Sequence, residues 1–497
     1  PYLVRLATGV VAGALIALSV PPFAWWPLAI AGYGLVALLL RGTRIRQRIA
    51  LGLATGIAQY VIGVWWVNEF SIFGAVALML LGAVWVAAAL AIAGGRRWWR
   101  IAVGLPGAMV LSDWARANFP LGGFPLAGTS LGQANSPLAV SVRLGGALLL
   151  TGVTALSGVA LAMLCSGAVD GSRRRGRTST RRPLSAVAGG VAAAAAVAAI
   201  LGVAAWSPKG STSARVLRVA LVQGGGPRGT RQVTTDPAVV FARHLAAADQ
   251  IVGPVGLVAF PEGVLQSTTD FTRTPGASDL AGVAIRLGAT VVAGVEQDVG
   301  TRHYLNEVVV WAPDGRIVGE YEKNHLVPFG EYVPARSWLG HFFNLSDVPL
   351  DAIAGHAPGF VATPSGPLGV MISYEVFFDQ RARQAVRAGG ELLVVPTNTA
   401  SYRSSQVPAQ ELAAARLRAI ETGRDLVQVT PTGYSAVVSA SGNVVERSTL
   451  GRRQLVAAMV ALRVGQTTYV RYGDLPPLVI GSMALVLGWA RPFSRRP

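Results

Sequence analysis

The sequence predicts a bundle of about eight membrane-spanning helices joined to one large α/β domain. Of the 497 residues, 52% are hydrophobic and only 14% are charged, whereas an ordinary soluble protein carries about 25% charged residues. The mean hydropathy is +0.46. This composition excludes a wholly cytosolic globular enzyme and an intrinsically disordered chain. The apolar runs lie outside residues 207–470, and short β-rich runs alternate with helical ones inside that range.

Eight apolar runs approach the length needed to cross a bilayer, which is about 20 mostly apolar residues. They cover residues 4–20, 23–40, 49–67, 71–94, 101–118, 138–165, 184–206 and 475–490. The fifth run carries Asp113 and Arg116. Charged residues inside a membrane span are costly and therefore indicate a functional role. The alternative interpretation is that Asp113 and Arg116 form an ion pair with each other. The chain therefore divides into a bundle of seven spans (1–206), a globular domain (207–470), and an eighth span with its tail (471–497).

The distribution of arginine predicts the orientation in the membrane. The net charge is +18, although residues 207–470 hold 23 basic and 21 acidic residues. In an eight-span arrangement, 17 of the remaining arginines fall on one side of the membrane and only three on the other. By the positive-inside rule, the N-terminus, the 173–182 loop and the C-terminus are cytoplasmic, and the 207–470 domain is extracytoplasmic. The basic excess thus indicates topology and not nucleic-acid binding.

The sequence indicates neither a metal site nor a disulfide. The five histidines lack the spacing of metal ligands. The single cysteine, Cys165, excludes an internal disulfide. Because Cys165 lies at the end of an apolar run, we interpret it as a buried structural thiol.

The pattern of the 207–470 domain predicts a sheet covered by helices on at least one face. Strands are expected at residues 216–223, 255–260, 289–295, 305–311, 316–321, 368–373, 392–396, 426–430, 434–440, 443–447 and 455–461. Helices are expected at 237–250, 277–287, 378–388 and 406–423.

Three segments of this domain carry candidate catalytic side chains. Glu262 follows an apolar strand and a proline, and Ser373 ends another apolar strand. Lys323 lies in the segment Tyr321–Glu331, and the chain has 41 arginines but only one other lysine, Lys209. A lysine is a compact point charge that arginine cannot imitate, and it suits the stabilisation of an oxyanion at close range. The alternative is a chance surface lysine.

These segments resemble the nitrilase, or carbon–nitrogen hydrolase, superfamily. The resemblance rests on the Pro-Glu at 261–262, on Lys-Asn-His-Leu-Val-Pro-Phe-Gly-Glu at 323–331, and on the Tyr-Glu after residue 373. It implies an αββα sandwich in which Glu262 is the general base, Lys323 the oxyanion-stabilising cation and Ser373 the nucleophile. It also implies a set of supporting or substrate-binding residues, namely Glu331, Glu375, Tyr374, Asn306 and Asn398.

Eight spans with that domain between the seventh and the eighth resemble the apolipoprotein N-acyltransferase family in particular. This resemblance implies that an acyl chain passes from a membrane phospholipid, through an acyl-enzyme, to the α-amine of a diacylglyceryl-cysteine in an apolipoprotein. It implies a multi-pass protein of the bacterial cytoplasmic membrane with its catalytic domain outside. We expect no cofactor, no metal and no nucleic-acid partner, and we expect a monomer.

The chain departs from that family at the nucleophile, which is Ser373 where the family has cysteine. Three interpretations follow: a working serine nucleophile, a replacement that inactivates the enzyme, or a structural serine in a degenerate site. Two functional alternatives remain beside acyl transfer. One is a membrane-tethered amidase or hydrolase that uses water, and the other is an impaired lipoprotein-binding homologue. A second departure is the segment 398–402, where Asn398 is followed by Thr-Ala-Ser-Tyr.

Overall fold

A computed structural model describes residues 2–173, 183–229, 235–342, 344–346 and 348–489. These form two compact units, Pro1–Ser207 with Tyr472–Pro497, and Pro208–Arg471. Arginines 174–182 and those of the C-terminal tail lie outside the described residues. The orientation that they indicate therefore stays a prediction.

The first unit is helical. Its helices are α1 (Tyr2–Ser19), α2 (Pro27–Leu40), α3 (Ile45–Gly63), α4 (Ile72–Ala93), α5 (Trp98–Asn118), α6 (Thr129–Gly132), α7 (Val142–Arg173), α8 (Pro183–Trp206) and α15 (Leu475–Trp489). Each of the eight expected spans overlaps one of them. Four stretches are long and apolar enough to cross a membrane: Tyr2–Ser19, Ile72–Ala93, Pro137–Gly167 and Ala186–Trp206. Helices α2 and α15 are apolar but shorter, and the total of eight spans stays a prediction.

Small residues allow the apolar helices of this unit to approach closely. A Cβ atom on Gly13 of α1 would lie 2.0 Å from the backbone oxygen of Thr55 on α3. A Cβ atom on Gly56 of α3 would lie 2.5 Å from the Cα of Ala83 on α4. Since lipid is as apolar as leucine, packing of this kind is what holds such helices together in a membrane.

Asp113 and Arg116 form an ion pair one turn apart on α5, with 3.2 Å between Arg116 Nη2 and Asp113 Oδ1. Arg116 also donates to the backbone oxygens of Phe124 and Leu126. The hydroxyl of Thr151 on α7 donates to the second oxygen of Asp113. The ion-pair interpretation therefore describes these two residues, and the pair joins α5 to the following loop and to α7.

The expectation of a buried thiol at Cys165 is wrong, because this residue is exposed on its own unit. An apolar run predicts an apolar environment, but it does not predict which side of a helix faces the protein. A membrane helix can turn apolar side chains outward, since lipid replaces the protein interior there.

The second unit contains fourteen strands among the residues that the structure describes. They are β1 (Ser211–Gln223), β2 (Leu257–Ala259), β3 (Leu265–Ser267), β4 (Thr290–Val299), β5 (His303–Trp311), β6 (Ile317–Glu322), β7 (Asp351–Ala352), β8 (Phe360–Val361), β9 (Leu368–Val370), β10 (Leu392–Pro396), β11 (Leu426–Val429), β12 (Ala436–Val438), β13 (Val444–Arg447) and β14 (Gln454–Val464). Its helices are α9 (Pro237–Ala248), α10 (Pro275–Leu287), α11 (Arg336–Leu339), α12 (Asp379–Arg387), α13 (Gln406–Thr422) and α14 (Thr468–Tyr472), the last of which ends at the unit boundary.

The strands form two sheets. The first has the order β14-β1-β2-β4-β5-β6, with β3 beside β4 and β7 beside β5, and the second has the order β13-β12-β11-β10-β9-β8. The central strands β1, β2 and β4 pair in parallel, as do β9, β10 and β11. Parallel neighbours bring the carboxyl ends of successive strands to one edge of each sheet, and the candidate site residues follow several of those ends.

Alternation along the strands builds four layers. In β1, Val219 and Leu221 pack in a core with residues of the second sheet, such as Val394. Ala220 and Val222 point the other way, into a core shared with α9 and α10. Helices α12 and α13 contact β9 and β11 of the second sheet. The unit is therefore an αββα sandwich, which confirms the predicted fold class.

Candidate active site

A buried lysine lies between two carboxylates at the centre of the candidate site. Lys323 follows β6, and its side chain is only 1% exposed. Its Nζ lies 2.8 Å from Glu262 Oε1 and 2.7 Å from Glu331 Oε1. Its backbone N–H donates to the backbone oxygen of Asn306 on β5. The pairing of β5 with β6 therefore places the lysine, and the turn after β2 brings Glu262 to it.

Asn306 holds the two carboxylates together. Its side-chain amide donates to Glu262 Oε1 at 2.8 Å and to Glu331 Oε1 at 2.9 Å. The second oxygen of Glu331 accepts the backbone N–H of Val327 at 2.7 Å. Glu331 thereby fixes the loop that runs from 327 to 331. The four residues Glu262, Lys323, Glu331 and Asn306, which the sequence analysis selected, thus form one cluster.

The charges of this cluster depend on one another. Burial alone would lower the pKa of Lys323, but Glu262 and Glu331 raise it well above its ordinary value. Burial raises the pKa of Glu331, Lys323 opposes that shift, and Glu262 adds to it. Lys323 is therefore a permanent cation at neutral pH. A buried cation that holds two carboxylates is a fixed electrostatic feature of the kind found at functional sites.

Ser373 lies at the tip of a sharp turn. The strand expected at 368–373 is shorter than predicted, because β9 ends at Val370 and a 3₁₀ turn begins at Ser373. Ser373 has a φ of +48°, a left-handed conformation that is strained for a residue other than glycine and that clusters at functional sites. Thr397 Oγ1 donates to Ser373 Oγ at 3.2 Å. Ser373 is half-buried, and Thr397 already holds its hydroxyl by this hydrogen bond.

Glu375 fixes this turn against the Lys323 loop. It is fully buried, and its oxygens accept hydrogen bonds, all 2.8 to 3.0 Å long, from Tyr321 and from the backbone N–H groups of Asn324, His325 and Ile372. The guanidinium of Arg381 lies 3.5 Å from it. One carboxylate thus sets the position of Ser373 relative to the strand and the loop that carry Lys323.

Glu375→Gln is expected to destabilise the protein strongly. In glutamine, an NH₂ group replaces one of the two carboxylate oxygens. The groups that donate to that oxygen lose their acceptor, and Arg381 loses the negative charge that it faces. Breaking a buried charged network of this kind costs about 3–5 kcal/mol. The thermal unfolding midpoint in detergent measures the effect. Tyr321→Phe removes a single hydrogen-bond donor to Glu375 and should lower the free energy of unfolding by about 1.5–3 kcal/mol. An unfolding midpoint for Glu375→Gln equal to that of the parent would contradict the stabilising role of Glu375.

Aromatic side chains pack around Tyr374, next to the turn that carries Ser373. The rings of Tyr374 and Phe378 meet edge to face at 5.0 Å, and His325 stacks on Phe378 at 3.7 Å. Tyr374 is 8% exposed. This residue, which the resemblance implies to be supporting or substrate-binding, therefore belongs to an aromatic cluster next to Ser373.

A cavity of about 250 Å³ lies beside Glu262. Its walls include Asn398, Gln266 and His244. The side chain of Asn398 accepts the backbone N–H of Ala400 at 3.1 Å, which closes a turn after β10. Asn398 thus shares a cavity with the general-base candidate, and its amide group helps to shape that cavity.

Three polar residues of the site were not predicted from the sequence. Thr397 directly follows β10, and the rule that selected Glu262 and Ser373, a polar residue after an apolar strand, would have found it. Glu411 lies on α13 and is bonded to Thr397, and its spacing in sequence gives no such signal. Glu296 lies opposite Asn306 in the β4–β5 pair. Burial, with the charges of Glu262 and Glu331, raises the pKa of Glu296 to about 7.

Two family models match this chain, one in each of its units. Residues 218–469 match the family model described as carbon-nitrogen hydrolase. Residues 12–160 match the model described as the apolipoprotein N-acyltransferase N-terminal domain. Among solved structures, Saccharomyces cerevisiae Nit3 of the nitrilase superfamily is 18% identical over 57% of this chain and 98% of its own, with a TM-score of 0.38.

Curated relatives match over nearly the whole chain. The apolipoprotein N-acyltransferase of Azotobacter vinelandii is 30% identical over 96% of this chain and 93% of its own. That of Shewanella oneidensis is 27% identical over 98% and 96%, and that of Mycolicibacterium smegmatis is 29% identical over 97% and 84%.

The second unit is thus a carbon–nitrogen hydrolase domain of the nitrilase superfamily. The whole chain belongs to the apolipoprotein N-acyltransferase family. It is an acyltransferase and, with its apolar helices, a membrane protein. The match over nearly the full length does not favour the amidase alternative.

Proposed function

We propose that this chain transfers an acyl chain from a membrane phospholipid to the α-amine of the diacylglyceryl-cysteine of an apolipoprotein, through an acyl ester on Ser373. The observation that carries the proposal is the Glu262–Lys323–Glu331 cluster, held by Asn306, in a domain whose turn presents Ser373. The names of the full-length relatives support the choice of substrates. The asymmetry of arginine supports a domain on the outer face of the bacterial cytoplasmic membrane, and we propose a monomer.

Lys323 stabilises the oxyanion in this scheme. An ammonium group has three N–H donors, and two of those of Lys323 are taken by Glu262 and Glu331. The third has no acceptor among the residues that the structure describes, so it can donate to the oxygen of a tetrahedral intermediate. Because the lysine is buried, its charge acts there with little screening by water. Oxyanion stabilisation of this kind is usually the largest single contribution to catalysis.

Glu262 serves as the general base. Its Oε1 accepts from both Lys323 and Asn306, whereas its Oε2 accepts no hydrogen bond from any residue that the structure describes. Oε2 can therefore take a proton, and Glu262 borders the cavity of about 250 Å³. Glu331 keeps the lysine in place and balances its charge, so its role is supporting.

The reaction then runs in two steps. Ser373 Oγ attacks the ester carbonyl of the phospholipid, Glu262 takes the serine proton, and that proton goes to the departing lysophospholipid oxygen. The amine of the lipoprotein then attacks the acyl-serine and gives a proton to Glu262. The amide forms, the bond to Ser373 Oγ breaks, and Oγ takes up a proton that restores the serine hydroxyl. Both substrates are anchored in lipid, which suits a domain tethered by spans on either side of it in sequence.

The test is a transfer assay with the full-length protein in lipid nanodiscs. A diacylglyceryl-cysteine peptide is added, and products are measured by mass spectrometry. We expect acyl-peptide and lysophospholipid in equal amounts. Free fatty acid without acyl-peptide would indicate a hydrolase that uses water. Binding of the peptide with neither product would indicate the impaired binding homologue.

A further inference from the structure

A buried carboxyl that the mechanism above leaves unused contacts the nucleophile through one hydroxyl. Thr397 is 0% exposed and Glu411 is 2% exposed. The hydroxyl of Thr397 is bonded to Glu411 Oε1, and it lies 3.2 Å from Ser373 Oγ. The backbone N–H of Thr397 donates to the oxygen of Val429 on β11. The threonine is therefore fixed by the second sheet in the one position that joins the carboxyl to the serine.

The direction of this chain of hydrogen bonds follows from its protons. A threonine hydroxyl has a single hydrogen, so it can donate to Ser373 or to Glu411 but not to both. The pKa of Glu411 is raised to about 8, mainly because the carboxyl is buried. The hydrogen bond with Thr397 and the charge of Lys323 lower this pKa, and the charge of Glu262 raises it. The carboxyl is then mostly protonated at neutral pH, donates to Thr397 Oγ1, and leaves the threonine hydrogen for Ser373 Oγ.

The rest of the Glu411 side chain agrees with a neutral carboxyl. Its Oε2 is buried and has no hydrogen-bond partner among the described residues. An ionised carboxylate oxygen without a partner would be far more costly in that place than a neutral one. Glu262 and Lys323 act on Glu411 through their charges, and the Thr397 hydroxyl contacts it directly. Within the part of the chain that the structure describes, no cation forms an ion pair with Glu411.

A serine nucleophile needs a proton donor when it leaves the acyl group, and Glu411 with Thr397 can provide one. In the second step the amine expels Ser373 Oγ from the acyl ester. A cysteine sulfur leaves easily, because its thiol has a pKa of about 8.5. A serine oxygen is a much poorer leaving group and must receive a proton as its bond to the acyl carbon breaks. A serine at position 373 therefore needs an acid, and the buried Glu411 is joined to it through Thr397.

We propose that Glu411 supplies, through the hydroxyl of Thr397, the proton that Ser373 Oγ takes up when the amine displaces it. This rests on the acyl-serine route given above. Thr397 is then a catalytic residue, since it touches the reacting oxygen, and Glu411 is a positioning and proton-supplying residue that acts through it.

The protons balance over the two steps. In the first, Glu262 carries the serine proton to the lysophospholipid oxygen, and Glu411 is unchanged. In the second, the C–N bond forms and the C–Oγ bond breaks. Glu262 takes the amine proton, Thr397 gives its hydrogen to Oγ, and Glu411 gives its own to Thr397. Glu262 afterwards releases its proton to water and Glu411 regains one from water, which restores the resting enzyme.

The test separates the two steps in two nucleophile backgrounds. Glu411→Gln and Thr397→Val are made in the parent and in the Ser373→Cys protein. Acyl-enzyme formation is followed by intact-protein mass spectrometry, and transfer is followed after the peptide is added. With serine, we expect acylation within about threefold of the parent and transfer slowed by about 10²-fold, the lower end for general acid–base catalysis. With cysteine, transfer should change by less than about threefold, because the thiolate needs no proton.

Two controls show that the effect belongs to the proton and not to the fold. Thr397→Ser keeps the hydroxyl and should keep most of the transfer rate. Thr399→Val removes a buried hydroxyl two residues away that bonds to Thr430, and it should leave both steps unchanged. If Glu411→Gln does not fold, Thr397→Val carries the test alone. Equal slowing of transfer with serine and with cysteine would overturn the proposal, as would equal slowing of both steps with serine. A parent protein that never acquires an acyl group would refute the acyl-serine route itself.

Discussion

Ser373→Ala is expected to abolish acyl transfer, with a loss of about 10³-fold or more, as for other enzymes that lose their nucleophile. The alanine keeps Cβ and removes the only atom that can form the acyl ester. Transfer of acyl chain to a diacylglyceryl-cysteine peptide measures the effect. The thermal unfolding midpoint should change little, because Ser373 Oγ makes one long hydrogen bond, to Thr397.

A matched control comes from another serine of the same unit. Ser365 donates its hydroxyl to the backbone oxygen of Gly256 and contacts Thr290, away from the Lys323 cluster. Ser365→Ala removes a comparable hydroxyl and should keep the activity. Ser373→Cys should also remain active, since the thiol is the stronger nucleophile. Retained transfer in Ser373→Ala would show that this serine is structural.

Lys323→Met is expected to have the second-largest effect, on both activity and stability. The change removes the oxyanion donor, and loss of one such donor costs about 10²–10³ in rate. It also leaves Glu262 and Glu331 without their cation, and removing one partner of a buried ion pair costs about 3–5 kcal/mol. Lys209→Met, at an exposed position and the one other lysine of the chain, should change neither quantity.

The pH dependence of this loss has a definite sign. Lys323 lowers the pKa of Glu331 in the folded protein, so its removal raises that pKa further above the unfolded value. A folded state that binds a proton more tightly gains stability as the pH falls. The difference in unfolding midpoint between Lys323→Met and the parent should therefore be largest above neutral pH and smaller near pH 5. A difference that grows as the pH falls would contradict the buried carboxylate pair.

Much of the second unit could be predicted, because its signals are local. Every strand expected from an apolar run is present, and the expected helices match α9, α10, α12 and α13 within a few residues. Glu262 and Ser373 follow apolar strands, and strand ends meet at one sheet edge. Lys323 is conspicuous because the chain has 41 arginines and only one other lysine. These inferences need only periodicity, composition and position along the chain.

The rest of the site depends on contacts that the sequence does not encode locally. The strand at 368–373 was predicted too long, because the chain turns at Ser373, where the buried Glu375 accepts hydrogen bonds from the distant backbone of Asn324 and His325. The link from Glu411 to Thr397 joins a helix to a strand end fourteen residues away. Thr397 follows an apolar strand, but nothing local in the sequence marks Glu411 as its partner. The prediction for Cys165 was wrong because apolarity alone does not tell which face of a membrane helix meets the protein.

The central claim is that Ser373 carries the acyl chain, and intact-protein mass spectrometry tests it most directly. The full-length protein is incubated with phospholipid but without an acceptor, beside Ser373→Ala, and the adduct is then located by peptide mapping. The account predicts one fatty-acyl mass on the parent protein, on the peptide that contains Ser373, with none on the alanine variant and loss of the adduct when the lipopeptide is added. No adduct on the parent, or an equal adduct on Ser373→Ala, would contradict it.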